Sequence, residues 1–203
     1  METIEIPESL KTYYKDKAVQ RAVKELVGKL NGADMPDCDW DEAQNYNQAL
    51  LMAAQVRADY VGLLFKVWDA TFGQSDPQRL MGEYFEYEKL SPNQIWEVEN
   101  KCLWRDYYRN GDSAEGGQCD SLNVRLTEDS LELMVYRFND DDDLDHSGTP
   151  KVEGWSTKHD DTWDGQYFAN KSVSTEKFLD EPKQVIDRFA EDAAKVIEVL
   201  LKS

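Results

Sequence analysis

The segment Asn139-Asp-Asp-Asp-Asp-Leu-Asp-His-Ser-Gly148 holds the densest set of ligating oxygens in the chain. Asp143, Asp145, Ser147 and Gly148 fall at positions 1, 3, 5 and 6 of a calcium-loop pattern. That chemistry needs hard oxygen donors at alternate positions and a glycine for the sharp turn. The pattern then breaks, because position 12 is Gly154 and Glu153 comes one place early. Its flanks read as strands rather than helices. The segment is therefore expected to be a solvated acidic hairpin loop.

His159-Asp160-Asp161, with Asp164, is the second group of ligand types. An HD-type phosphohydrolase would place several His and Asp residues on helices. This group falls among turn residues between two predicted strands, so a polar turn is expected. Glu181-Pro182-Lys183 matches the E-x-K half of a nuclease signature, but it stands at a predicted helix start.

Nucleophilic catalysis has little material. The two histidines, His146 and His159, both lie in acidic stretches, which leaves no basis for a Ser-His-Asp or Cys-His arrangement. GxSxG, P-loop and GxGxxG motifs are absent. Gly116-Gly117 lacks a preceding strand, a following helix and a basic partner. With 41 carboxylates, accidental acid-base pairs are numerous, so a pair alone argues nothing. Cys38, Cys102 and Cys119 are odd in number and lack CxxC spacing, which argues against a disulfide framework or a zinc site and for a reducing, cytoplasmic setting. Neither a cofactor nor a metal is expected.

The elements that must carry these residues can be read from periodicity. Val19, Val23, Leu26, Val27 and Leu30 recur at helical spacing and predict a helix from about Asp16 to Leu30. A long helix is predicted from Asp41, read as its N-cap, to Phe72, with Gly73 as the stop. From Tyr60 onward it is apolar nearly all round, and Gly62 inside it costs about 1 kcal/mol against alanine unless close packing requires it. Asp76-Pro77 and Ser91-Pro92 mark two further helix starts, predicting 77–89 and 94–99.

The period then changes to two. Leu122–Leu126 and Leu131–Val135, separated by the turn-like Glu128-Asp129-Ser130, predict a β-hairpin. Cys102–Arg109, Val152–Thr157 and Gln166–Val173 are further strand candidates. Trp104, Tyr107, Tyr108, Tyr136, Trp155, Trp163, Tyr167 and Phe168 suit a pleated surface, and core packing is expected for most of them. A final helix is predicted from Pro182 to Leu201. The fold class is therefore α+β: N-terminal helices including one long core helix, a four- to five-stranded antiparallel sheet, and a C-terminal helix packed on it. Without a Pro/Gly/Ser-rich linker, residues 1–203 are read as one domain. It is mainly helical over 1–100 and mainly β over 101–175, with a closing helix at 180–202.

Charge is the dominant feature. The 203 residues carry 23 Lys plus Arg against 41 Asp plus Glu, a net of −18. Residues 1–30 are nearly neutral, with six basic and five acidic side chains, so the field arises from the rest. Such a chain repels nucleic acid and anionic membranes and attracts basic surfaces. No stretch approaches the ~20 apolar residues of a membrane span. METIEIPESL lacks the basic-then-apolar order of a signal peptide.

These features favour a non-enzymatic binding protein that occupies a basic surface of a nucleic-acid-handling partner, as phage anti-CRISPR, anti-restriction or other nucleic-acid-mimicking inhibitors do. The contact residues expected are Asp140, Asp141, Asp142, Asp143 and Asp145, with Asp160, Asp161 and Asp164 as a second patch. The same physics fits an immunity or antitoxin protein that neutralises a toxin. A metal-dependent hydrolase or calcium-binding module using 141–148 or 159–164 is the alternative from another class, and an acidic housekeeping domain is a fourth.

Overall fold

The computed structural model describes residues 4–29, 39–75, 102–108, 119–138, 152–160 and 165–202. The helices expected at 77–89 and 94–99 lie outside the described residues. The chain divides into two compact units, Glu5–Leu63 and Leu64–Ser203, the second including Met1–Ile4.

In the first unit, α1 (Glu8–Lys15) and α2 (Lys17–Lys29) are separated by Asp16. Periodicity foresaw α2 and missed α1, whose eight residues are too few for a clear repeat. Asp16 serves both helices. Its backbone N–H closes α1 on the Thr12 carbonyl, and its carboxylate accepts from the N–H groups of Ala18 (2.7 Å) and Val19 (3.3 Å), an N-cap for α2.

The long helix, α3, spans Trp40–Thr71. Its cap is Asp39, not Asp41. The Asp39 carboxylate accepts from Glu42 N–H at 2.9 Å, and the Glu42 carboxylate accepts from Asp39 N–H at 3.1 Å, a reciprocal capping box. Within the first unit, Asp59 of α3 accepts from the Ser9 hydroxyl and from Gln55 Nε2, the latter at 2.8 Å, which ties α1 to α3. Ala53, Val56, Tyr60, Val61 and Leu63 are buried.

The second unit holds a five-stranded antiparallel sheet. Its strands are β1 (Cys102–Tyr108), β2 (Cys119–Leu126), β3 (Ser130–Phe138), β4 (Ser156–Asp160) and β5 (Gly165–Ser174), in the order β1-β2-β3-β5-β4. The expected hairpin is the β2–β3 pair. Thr127 shapes its connection, its hydroxyl accepting from the N–H groups of Asp129 and Ser130. The strand expected at Val152–Thr157 begins only at Ser156. Before it, Trp155 N–H reaches the Val152 carbonyl across a turn that sets Gly154 at φ +80°, a conformation glycine adopts without penalty.

Alternation gives the sheet two unlike faces. Leu122, Val124, Leu126, Leu131, Leu133 and Val135 share one face and are fully buried. The register adds Arg105 and Lys171 to that face. Arg105 places its guanidinium 4.3 Å from the Trp68 ring centroid, and Lys171 pairs with Asp192. The last turns of α3 and the C-terminal helix therefore lie against this face.

That C-terminal helix, α5 (Pro182–Lys202), follows a short α4 (Thr175–Asp180) that the sequence reading missed. Ser174 caps α4 by accepting from Lys177 N–H. On α5, Val185, Ile186, Phe189, Ala193, Val196 and Ile197 form the buried stripe that the spacing predicts.

Candidate functional site

Strand direction decides where the acidic loops attach. Tyr108 stands opposite Cys119, Cys119 opposite Phe138, Arg137 opposite Gln166, and Asp160 opposite Gly165. The end of β1, the start of β2, the end of β3, the end of β4 and the start of β5 thus lie at one end of the sheet. At ~4.8 Å between strands, that end is about 19 Å wide. The connections 109–118 and 161–164 leave and rejoin it, and 139–151 leaves from it. Their sequences carry nine acidic residues against Arg109 and Lys151. The opposite end carries the short Thr127–Asp129 connection and the passage from β5 into α4.

Asp140, Asp141, Asp142, Asp143, Asp145, Asp161 and Asp164 lie outside the described residues, as do His146, Trp163 and Gly116-Gly117. Asp160 is the last residue of β4. His159 and Asp160 belong to that strand and not to the turn in which they were expected. The reason is pairing with β5: His159 stands opposite Gln166 and Asp160 opposite Gly165, so the ladder runs on to Asp160. Gly154, position 12 of the calcium-loop pattern, occupies the turn before β4, where the pattern would need a bidentate glutamate and a following helix. Glu181 closes α4 through its N–H to the Lys177 carbonyl, and its own carbonyl accepts from Val185 N–H to open α5. Glu181-Pro182-Lys183 is thus a helix junction, as the Pro signal implies. Among the described residues, no three His, Cys, Asp or Glu side chains converge on a common point.

The second face of the sheet is polar and was not anticipated as a network. Cys102, a free thiol, donates to Asn123 Oδ1 at 3.3 Å, and Asn123 Nδ2 donates to the Ser121 hydroxyl at 3.0 Å. All three are buried, as is Met134, the register partner of Asn123. Next along this face, Arg125 and Glu132 are register partners and form an ion pair at 3.1 Å. The alternation that revealed the apolar face also predicts a polar one, but not that the polar one is covered. Of the aromatic set, Tyr107 is core and Trp104, Tyr136 and Trp155 are half-buried, while the side chains of Tyr108, Tyr167 and Phe168 lie outside the described ones.

No described helix is long and apolar enough to cross a membrane. No protein-family model matches the chain, and neither a curated protein nor a solved structure is significantly similar to it.

Proposed function

We propose that this protein is a non-enzymatic, strongly acidic binding protein that inhibits a basic, nucleic-acid-handling partner in the cytoplasm, in the manner of a phage anti-defence inhibitor or nucleic-acid mimic. The observation that carries the reading is the attachment of the acidic connections to one end of the sheet. Two patches, 140–145 and 160–164, attach at the ends of β3 and β4, two strand spacings apart. Carboxylates presented this way resemble a phosphate array to a basic groove, and a partner evolved to bind phosphates would accept them. Long-range attraction between opposite charges would speed association and make it salt-sensitive. The net −18 makes direct contact with nucleic acid or an anionic membrane unfavourable.

The test is affinity capture from a host lysate at low salt, repeated at about 0.5 M, where the Debye length is below ~5 Å. Retention of a nucleic-acid-handling protein at low salt and its loss at high salt supports the reading and names the partner. A captured toxin instead moves the protein into the immunity class. Capture that salt does not weaken removes charge as the basis of recognition.

A further inference from the structure

A cleft between β5 and the α4–α5 helices reverses the sign of the charge that dominates the chain. Lys171 of β5, Lys177 of α4 and Arg188 of α5 border it, with Gln184 on the same α5 face one turn before Arg188. Among the described residues no carboxylate lines it, although Asp and Glu outnumber Lys and Arg 41 to 23. Its volume is about 80 Å³, room for a small polyatomic ion or a few waters. Val173, Val185 and Phe189 supply apolar wall.

The three cations differ in what holds them. Lys171 is mostly buried and is fixed by Asp192, which leaves it ammonium protons to donate elsewhere. Lys177 and Arg188 are exposed and have no ion-pair partner among the described residues. Asp192 offsets the charge of Lys171, which leaves two cations, Lys177 and Arg188, beside the cleft with no carboxylate paired to them among the described residues. The β5 edge adds donors. Its pairing with β4 ends at Asn170, so the Lys171–Ser174 backbone faces no described strand on that side. The residues that line the cleft carry a planar guanidinium, two ammonium groups and an amide, a donor set that suits a tetrahedral or carboxylate oxyanion.

We propose that this cleft binds a small oxyanion, a phosphate group or a ligand headed by one, with Lys177 and Arg188 as the contacting cations and Lys171 held in place by Asp192. The site is separate from the acidic end of the sheet and does not depend on the function proposed for it.

The test uses the full chain with inorganic phosphate as the probe, against sodium chloride at matched ionic strength. Phosphate at about ten times its Kd should raise Tm by roughly 3–6 °C beyond the chloride control, and K177Q/R188Q should lose that rise. Both side chains are exposed, so the double variant should keep the wild-type Tm in chloride. Backbone amide shifts of the wild-type protein should move at 171–173, 177 and 184–189. The proposal is overturned if phosphate and chloride act alike, if the double variant responds as the wild type does, or if the amide shifts move elsewhere.

Discussion

Asp160 and Gly165 stand opposite each other as the last register pair of β4 and β5, at the same end of the sheet as Cys119 and Phe138. That pairing makes 161–164 the connection between two neighbouring strands. The second acidic patch is thereby attached beside the strand from which the first one departs. Antiparallel topology alone produces this: each up-strand delivers its following loop to the same end.

The two glycines of the α3 region should respond in opposite ways. A Cβ at Gly62 would meet nothing within 4 Å, so Gly62→Ala should stabilise the protein by up to about 1 kcal/mol, the helix-propensity difference. A Cβ at Gly73 would stand 2.4 Å from the Asp69 carbonyl oxygen that the Gly73 N–H bonds, so Gly73→Ala should destabilise it. Urea midpoints of the two variants check this. A loss at Gly62 would mean that its bare surface is used for packing after all.

Leu133 sits fully buried at the middle of the central strand, with Val124 across the β2 ladder. Leu133→Ala should cost about 2–5 kcal/mol through lost burial and the cavity left behind. A cost under about 1 kcal/mol would contradict the assignment of this face as the core.

The charged pairs of the sheet unit should rank by burial. Asp192 is largely buried between Lys171 and Lys195, and Asp192→Ala strands Lys171 beneath α5, so a loss of about 2 kcal/mol is expected. Arg125 and Glu132 are more exposed, and a double-mutant cycle on them should return about 0.5–1 kcal/mol. A coupling for Arg125–Glu132 larger than the Asp192→Ala loss would reverse the ranking.

One pH dependence is expected near the end of α5. The Lys202 ammonium donates to Glu198 Oε1 at 2.5 Å and holds that carboxyl below its ordinary value of 4.5. A depressed folded-state pKa gives stability that is present above the unfolded value and lost as pH falls through the folded one. Glu198→Gln should therefore lower Tm slightly at pH 7 and have less effect at pH 3. A Glu198→Gln effect that grows on acidification would contradict the pairing.

How much was legible depended on how local the signal was. The β2–β3 hairpin and the α5 stripe rest on an uninterrupted period and the extent of α3 on its acidic start and its Gly73 stop, and the structure has them within a few residues. α1 and α4 are eight and six residues long, and no period can establish itself over so few. The cap of α3 was misplaced by two residues because Asp39 and Asp41 are chemically alike, and only the reciprocal bond with Glu42 separates them. Strand order could not be read from period. Antiparallel strand direction gathers the acidic connections at one end and strand order sets which of them are neighbours, whereas Lys171, Lys177 and Arg188 meet because α4 and α5 follow β5 directly in the chain.

The central claim, that clustered carboxylates at one end of the sheet recognise a basic partner, is tested most directly on the captured partner. Its Kd should be measured from 0.05 to 0.5 M salt for the wild type. The same series follows for a variant with Asp140, Asp141, Asp142, Asp143, Asp145, Asp160, Asp161 and Asp164 changed to Asn. The account predicts that the wild type weakens steeply with salt, and that the variant binds at least tenfold more weakly at 0.05 M with a shallower salt slope. Equal affinity and equal slope for the two proteins would contradict it.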